Sequence, residues 1–151
     1  MDPVHAHLLL AHLPVVAFPL ALAGWTVAWR RGDAFWQRLF SWAWLACCAA
    51  AAAVYFSGGS AFEALRLVAE ARGVDWAGLE RAETHAVAGR AAFLTLLLSG
   101  AAQLQILLSR WQGQPAGRAA HGLALALGLA AAVLLGTSAG LGGGVGHPEL
   151  G

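Results

Sequence analysis

Leu8-Leu9-Leu10-Ala11-His12-Leu13-Pro14-Val15-Val16-Ala17-Phe18-Pro19-Leu20-Ala21-Leu22-Ala23-Gly24-Trp25-Thr26-Val27-Ala28-Trp29 is a run of 22 residues without one Asp, Glu, Lys or Arg. A helix that crosses the hydrocarbon core of a bilayer needs about 20 predominantly apolar residues. This segment therefore predicts a transmembrane helix, and three more runs meet the same criterion: Leu39–Phe56, Ala86–Leu108 and Ala119–Leu141. No alternation of apolar and polar residues runs between them, which excludes a barrel. Of the 151 residues, 59% are hydrophobic and 11% charged, whereas soluble domains carry about 25% charged residues. The sequence predicts one all-α domain over residues 1–151, an integral membrane four-helix bundle with up-down-up-down topology and an outer loop over 57–84.

Secretory signals begin with a basic segment and end at a small-residue cleavage site. Here Met1-Asp2-Pro3-Val4 carries no positive charge, and Arg30 and Arg31 follow the apolar run. An uncleaved first span with an exported N-terminus is expected. The first and third connections hold Arg30, Arg31, Arg38, Arg110 and Arg118 against Asp33 alone. The other side holds Arg66, Arg72, Arg81 and Arg90 with Asp2, Glu63, Glu70, Asp75, Glu80, Glu83 and Glu149. Positive charge marks the cytoplasmic side, so both termini and the long loop are expected outside, on the periplasmic face of a bacterial inner membrane. Trp25, Trp29, Trp36, Trp42, Trp44 and Trp111 cluster near the arginine-rich connections and read as an interfacial aromatic belt.

Asp2-Pro3 suits the start of the first helix, and Pro14 and Pro19 should bend it. Ser57-Gly58-Gly59-Ser60 reads as a turn that ends the second span. Phe62, Leu65, Val68 and Ala69 then suggest a short amphipathic helix on the outer surface. Asp75 could cap a third helix that enters the bilayer through Glu80, Arg81 and His85. The glycine run from Gly140 to Gly146 is expected to break the fourth helix and suits a tight turn or a close approach to something flat.

Five of the six histidines (His5, His7, His12, His85 and His147) fall on the outer side, and an ionisable group near lipid is costly unless paired, solvated or coordinated. In the expected topology the first and third helices are diagonal partners. His12 and His85 then suit axial coordination of haem across the core. Ala88 and Gly89 follow His85 on the same face, thin enough for a macrocycle or simply for helix packing. Arg81, one turn outward from His85, could pair with a haem propionate. Arg90, inside the span, either has a partner there or snorkels outward. His5 shares a face with His12, and His5-Ala6-His7 also reads as a copper- or zinc-chelating pair. His121 stands apart, an interfacial structural histidine. Cys47 and Cys48 read as small apolar filler, and no Cys-x-x-Cys-His motif indicates covalent haem.

His7-Leu8-Leu9-Leu10-Ala11-His12-Leu13-Pro14 resembles the His-x4-His-Phe-Pro opening of small bacterial four-span proteins catalogued as domain of unknown function 2231. The likeness extends to Glu83-Thr84-His85 at the head of the third span and to the Thr- and Gly-rich end of the fourth, followed by His147. It covers most of the chain. Leu13 stands where the family has an aromatic, and the glycine run reaches its histidine sooner. Members are sometimes joined to cytochrome or iron–sulfur domains, so the resemblance implies a redox setting and a role for His7, His12, His85 and His147.

These readings lead to a membrane b-type cytochrome with one or two haems, passing electrons between a quinol or other membrane donor and a periplasmic acceptor, alone, as a homodimer or in a larger redox complex. His7 and His147 would form a second haem pair, a separate metal site or a supporting shell. The alternatives are a non-haem copper or zinc site and a cofactor-free structural subunit or transporter. No nucleophile set, nucleotide loop or nucleic-acid-binding patch is present, and a stand-alone enzyme is not indicated.

Overall fold

The computed structural model describes residues 3–72 and 77–146, and every element in it is a helix: α1 (Pro3–Arg31), α2 (Ala34–Arg72), α3 (Ala77–Trp111) and α4 (Arg118–Gly146). All four are long and apolar enough to cross a membrane. Large apolar side chains such as Leu20, Leu98 and Val133 are exposed on the outside, where lipid would cover them, while Ser41, Ser99 and Gln103 are fully buried. Each helix packs against two neighbours, α1 on α2 and α4, and α3 on α2 and α4. That leaves α1 and α3 as one diagonal pair and α2 and α4 as the other.

The inward-facing residues repeat at alternating steps of three and four. In α1 they are His7, Ala11, Pro14, Phe18, Ala21, Trp25 and Ala28; in α3, His85, Gly89, Ala92, Leu96, Ser99, Gln103, Ile106 and Arg110. His121, Ala124, Gly128, Ala131, Leu135, Ser138 and Gly142 form the stripe of α4. This is the 3.5-residue repeat that lets helices pack knobs-into-holes along their length. Small residues on the stripes bring the backbones close, as membrane helices require where no hydrophobic force holds them together.

Two glycines shape the ends. Gly32 (φ 69°) closes α1, with Gly32 N–H donating to Trp29 O at 3.1 Å and Asp33 N–H to Ala28 O at 3.0 Å. Asp33 then caps α2 by accepting from the Phe35 and Trp36 amides, both at 3.2 Å. Gly113 (φ 72°) ends α3 in the same way. Both positions need a left-handed backbone, which glycine adopts without steric cost.

The structure departs from the sequence reading at three places. Ser57–Ser60 is not a turn: α2 runs through it unbroken to Arg72. The Ser57 and Ser60 hydroxyls donate back to Val54 O and Ser57 O, both at 2.9 Å, so serines that would start a turn in water here join the helix. The amphipathic segment is accordingly the C-terminal end of α2. At about 1.5 Å per residue, this 39-residue helix is far longer than a bilayer core of about 30 Å. The glycine run likewise stays helical to Gly146; where water is absent, a backbone that left the helix would strand its polar groups. α1 holds Pro14 and Pro19 within one helix. Finally, Trp25 and Trp44 belong to the core, at 0% exposure, while Trp36, Trp42 and Trp111 are exposed. The third helix does pass through Glu80 and Arg81 to His85. Asp2 and Asp75, expected as caps, lie outside the described residues.

Near the C-terminal end of α2, Arg66 pairs with Glu63 at 3.3 Å and with Glu70 at 3.5 Å, all three about half exposed. Screened i,i+3 and i,i+4 pairs of this kind contribute at most about 0.5 kcal/mol. Glu63→Ala and Glu70→Ala should each leave thermal unfolding in detergent almost unchanged.

Candidate functional site

His7 and His85 stand at the same end of the bundle, on the diagonal pair α1 and α3, within electrostatic reach of each other. Each is held by a neighbouring helix. His7 Nδ1 lies 3.0 Å from Ser57 Oγ on α2. The Ser57 hydroxyl already gives its proton to Val54 O, so Ser57 Oγ accepts and His7 Nδ1–H donates. His85 Nδ1 lies 2.9 Å from Ser138 O on α4, and a carbonyl oxygen can only accept. Both Nδ1 atoms therefore carry the proton of the neutral ring, which leaves an unprotonated lone pair on each Nε2. An imidazole whose Nδ1–H is anchored to a hydroxyl or carbonyl is the form that ligates metals, because the anchor fixes tautomer and ring direction.

The other two helices meet these rings with glycine. A Cβ on Gly142 would stand 3.0 Å from His85 Cε1 and 3.2 Å from Nδ1, and one on Gly58 would stand 3.5 Å from His7 Cε1. At this end α2 and α4 thus each meet the facing ring with a glycine. Ala61 and Ala82 lie one turn outward and are buried; Ala51 and Ala92 are buried on the inner side. Gly89 faces α4, its absent Cβ 3.4 Å from Ser138 Oγ. The missing side chains at Gly142 and Gly58 let the two imidazoles pack directly on the α4 and α2 backbones.

The remaining expected site residues are placed as follows. His12 is exposed, with Nδ1 donating to Leu8 O of its own helix at 2.6 Å. It lies five residues from His7, about 140° around the helix at 3.6 residues per turn, so only one of the two can face inward. The structure gives that place to His7, and His85 has His7 opposite it where the sequence reading placed His12. Arg81 and Arg90 are exposed. The side chain of His5 and all of His147 lie outside the described residues. Among the described residues, no three His, Cys, Asp or Glu side chains come together as a metal-binding group. Cys47 and Cys48 are buried free thiols in the packed core, in keeping with a filling role.

Sequence reasoning did not single out Ser57, Gly58, Ser138 and Gly142 for the site. One signal was available: stepping back from Trp25 through Phe18 and Pro14 by fours and threes reaches His7 and misses His12. His121, expected at the interface, is 4% exposed. Its ring stacks on Trp29 and Trp25 with centroids 5.2 and 5.8 Å away.

Comparisons with protein-family models, with curated proteins and with solved structures find no match to this chain.

Proposed function

We propose that the chain is a membrane b-type cytochrome of a bacterial inner membrane that holds haem between His7 and His85. The bundle would run up-down-up-down, with both termini and the histidine end toward the periplasm. The observation that supports this most is the pair of Nδ1-anchored imidazoles on diagonal helices, with glycine on both intervening helices. The bound haem would supply a one-electron couple. Ser57 and the Ser138 carbonyl would orient the ligands, and Gly58 and Gly142 would let the two imidazoles seat against the neighbouring helices. Arg81, on the outer extension of α3, is the candidate partner for a propionate. Electrons would pass between a quinol or other membrane donor and a periplasmic acceptor, in a chain acting alone or within a larger redox complex.

The test is an absorption spectrum of the detergent-purified chain, produced with ample haem, oxidised and then reduced with dithionite. A sharp Soret band with split visible bands on reduction, at one haem per chain, is the expected result. A second haem per chain would direct attention to His5, His12 and His147. A colourless protein would overturn the reading, and elemental analysis would then decide between copper or zinc and a cofactor-free subunit.

Ser57→Ala should keep the ligand but free its orientation. Outer-shell partners of ligating histidines are typically worth about 10- to 100-fold in metal affinity. A weakening in that range, measured by haem transfer to an apo-globin, is expected with the band positions nearly unchanged.

A further inference from the structure

At the opposite end of the bundle, next to the two short connections, each helix contributes one buried polar atom that finds no partner among the described residues. These are Trp25 Nε1, Gln37 Nε2, Gln103 Oε1 and His121 Nε2. Their side chains are between 0% and 4% exposed. Neighbouring bonds fix what each free atom can do. Arg110 donates to Gln37 Oε1 at 2.7 Å, and a guanidinium cannot accept; the free atom of Gln37 is therefore its amide N–H. Ser41 gives its hydroxyl proton to Gln37 O at 2.7 Å, so it must accept from Gln103. The free atom of Gln103 is then its carbonyl oxygen. His121 Nδ1 donates to Gly117 O at 3.0 Å, which leaves Nε2 of the neutral ring as an acceptor. Trp25 Nε1–H can only donate.

The four atoms are thus two donors and two acceptors. A quinone carbonyl or an anion would satisfy only the donors, and a metal cation only the acceptors. Water both gives and takes hydrogen bonds and is the usual partner of buried polar groups left without one. Toward the histidine pair the four side chains are followed by Phe18, Trp44, Leu96 and Ala131, all 0% exposed, an apolar barrier. On the other side they meet Arg110, half-buried and bonded to Gln37.

We infer that this end of the bundle binds internal water, held by Trp25, Gln37, Gln103 and His121 together, in an inlet entered beside Arg110 and blind toward the histidine pair. The inlet is independent of whether haem is bound at the other end.

The test uses the full chain in lipid nanodiscs, labelled with nitrogen-15, and reads magnetisation exchange between water and the indole N–H groups, assigned through Trp25→Phe and Trp44→Phe. A water cross-peak is expected at the Trp25 indole. None is expected at Trp44, whose N–H is bonded to Ser99 at 3.2 Å. In deuterated buffer the Trp25 indole should exchange at least about tenfold faster than that of Trp44, since exchange follows local access of water. Gln103→Leu should remove the Trp25 cross-peak while the other indole signals keep their positions. Equal protection of both indoles from water, or a Trp25 cross-peak to a lipid or other ligand proton in place of water, would overturn the inference.

Discussion

If haem lies between His7 and His85 as proposed, His85→Ala and His7→Ala should each yield a chain without the low-spin haem spectrum, whereas His12→Ala should keep it. The contrast follows from where three imidazoles stand. Removing His85 or His7 deletes one of the two rings whose lone pairs are prepared by the Ser138 carbonyl and by Ser57. The vacated space adjoins Gly142 or Gly58, so no side chain there can take over as ligand. His12 is exposed and bonded to its own backbone, and its loss leaves both prepared rings in place. Haem per chain and the reduced-minus-oxidised spectrum check this directly. Added imidazole should restore colour to His85→Ala by filling the gap it leaves, which separates a lost ligand from a lost fold. Were colour to survive in His7→Ala and vanish in His12→Ala, the assignment of the axial pair would move to His12 and His85.

The second large effect is on folding. Gly128→Ala should destabilise the bundle by about 1–3 kcal/mol, the usual cost of overfilling a packed core. A Cβ at Gly128 would stand 2.6 Å from Trp44 Cη2, 2.8 Å from Cζ2 and 2.9 Å from Leu22 Cδ1. The Trp44 ring cannot yield easily. Its N–H is bonded to Ser99, and its faces meet Phe18 at 5.3 Å and Trp25 at 5.5 Å, both edge-to-face. Gly24→Ala tests the argument from the other side. Its Cβ would come even closer, 2.5 Å from Phe40 Cε1, yet Phe40 is only half-buried and can swing outward, so the smaller loss is expected there. Gly136→Ala, with nothing within 4 Å of its Cβ, should change stability by less than about 1 kcal/mol and in the favourable direction, by helix propensity. Unfolding titrations of the four chains in mixed micelles should rank Gly128→Ala least stable, then Gly24→Ala, with Gly136→Ala at or above the parent.

The number of helices, their apolar character and the gathering of histidines toward one end were legible in the sequence, because the length of an apolar run and the position of a polar residue along it need no tertiary information. The ends of α2 and α4 were not. Ser-Gly-Gly-Ser and a glycine run signal turns when water can take up the freed backbone groups, and that signal loses force where each helix must keep its own hydrogen bonds. The two core tryptophans were misread for a related reason: position along the chain places a tryptophan near an interface, but only packing decides whether it turns toward lipid or core.

The sequence by itself determined that this chain is a bundle of four membrane-length helices with imidazoles near one end. Only the tertiary structure decided that His7 and not His12 stands with His85, and that each of these rings packs on a glycine of a neighbouring helix. It also decided that each helix buries one polar atom without a partner toward the other end. The physical reason is that lipid is as apolar as the core. In a soluble helix the buried stripe stands out against a polar face. In these spans Leu, Val and Ala occupy every face, so the orientation of each helix, and with it the choice of which histidine points inward, is fixed by how the small and large side chains of four helices fit together.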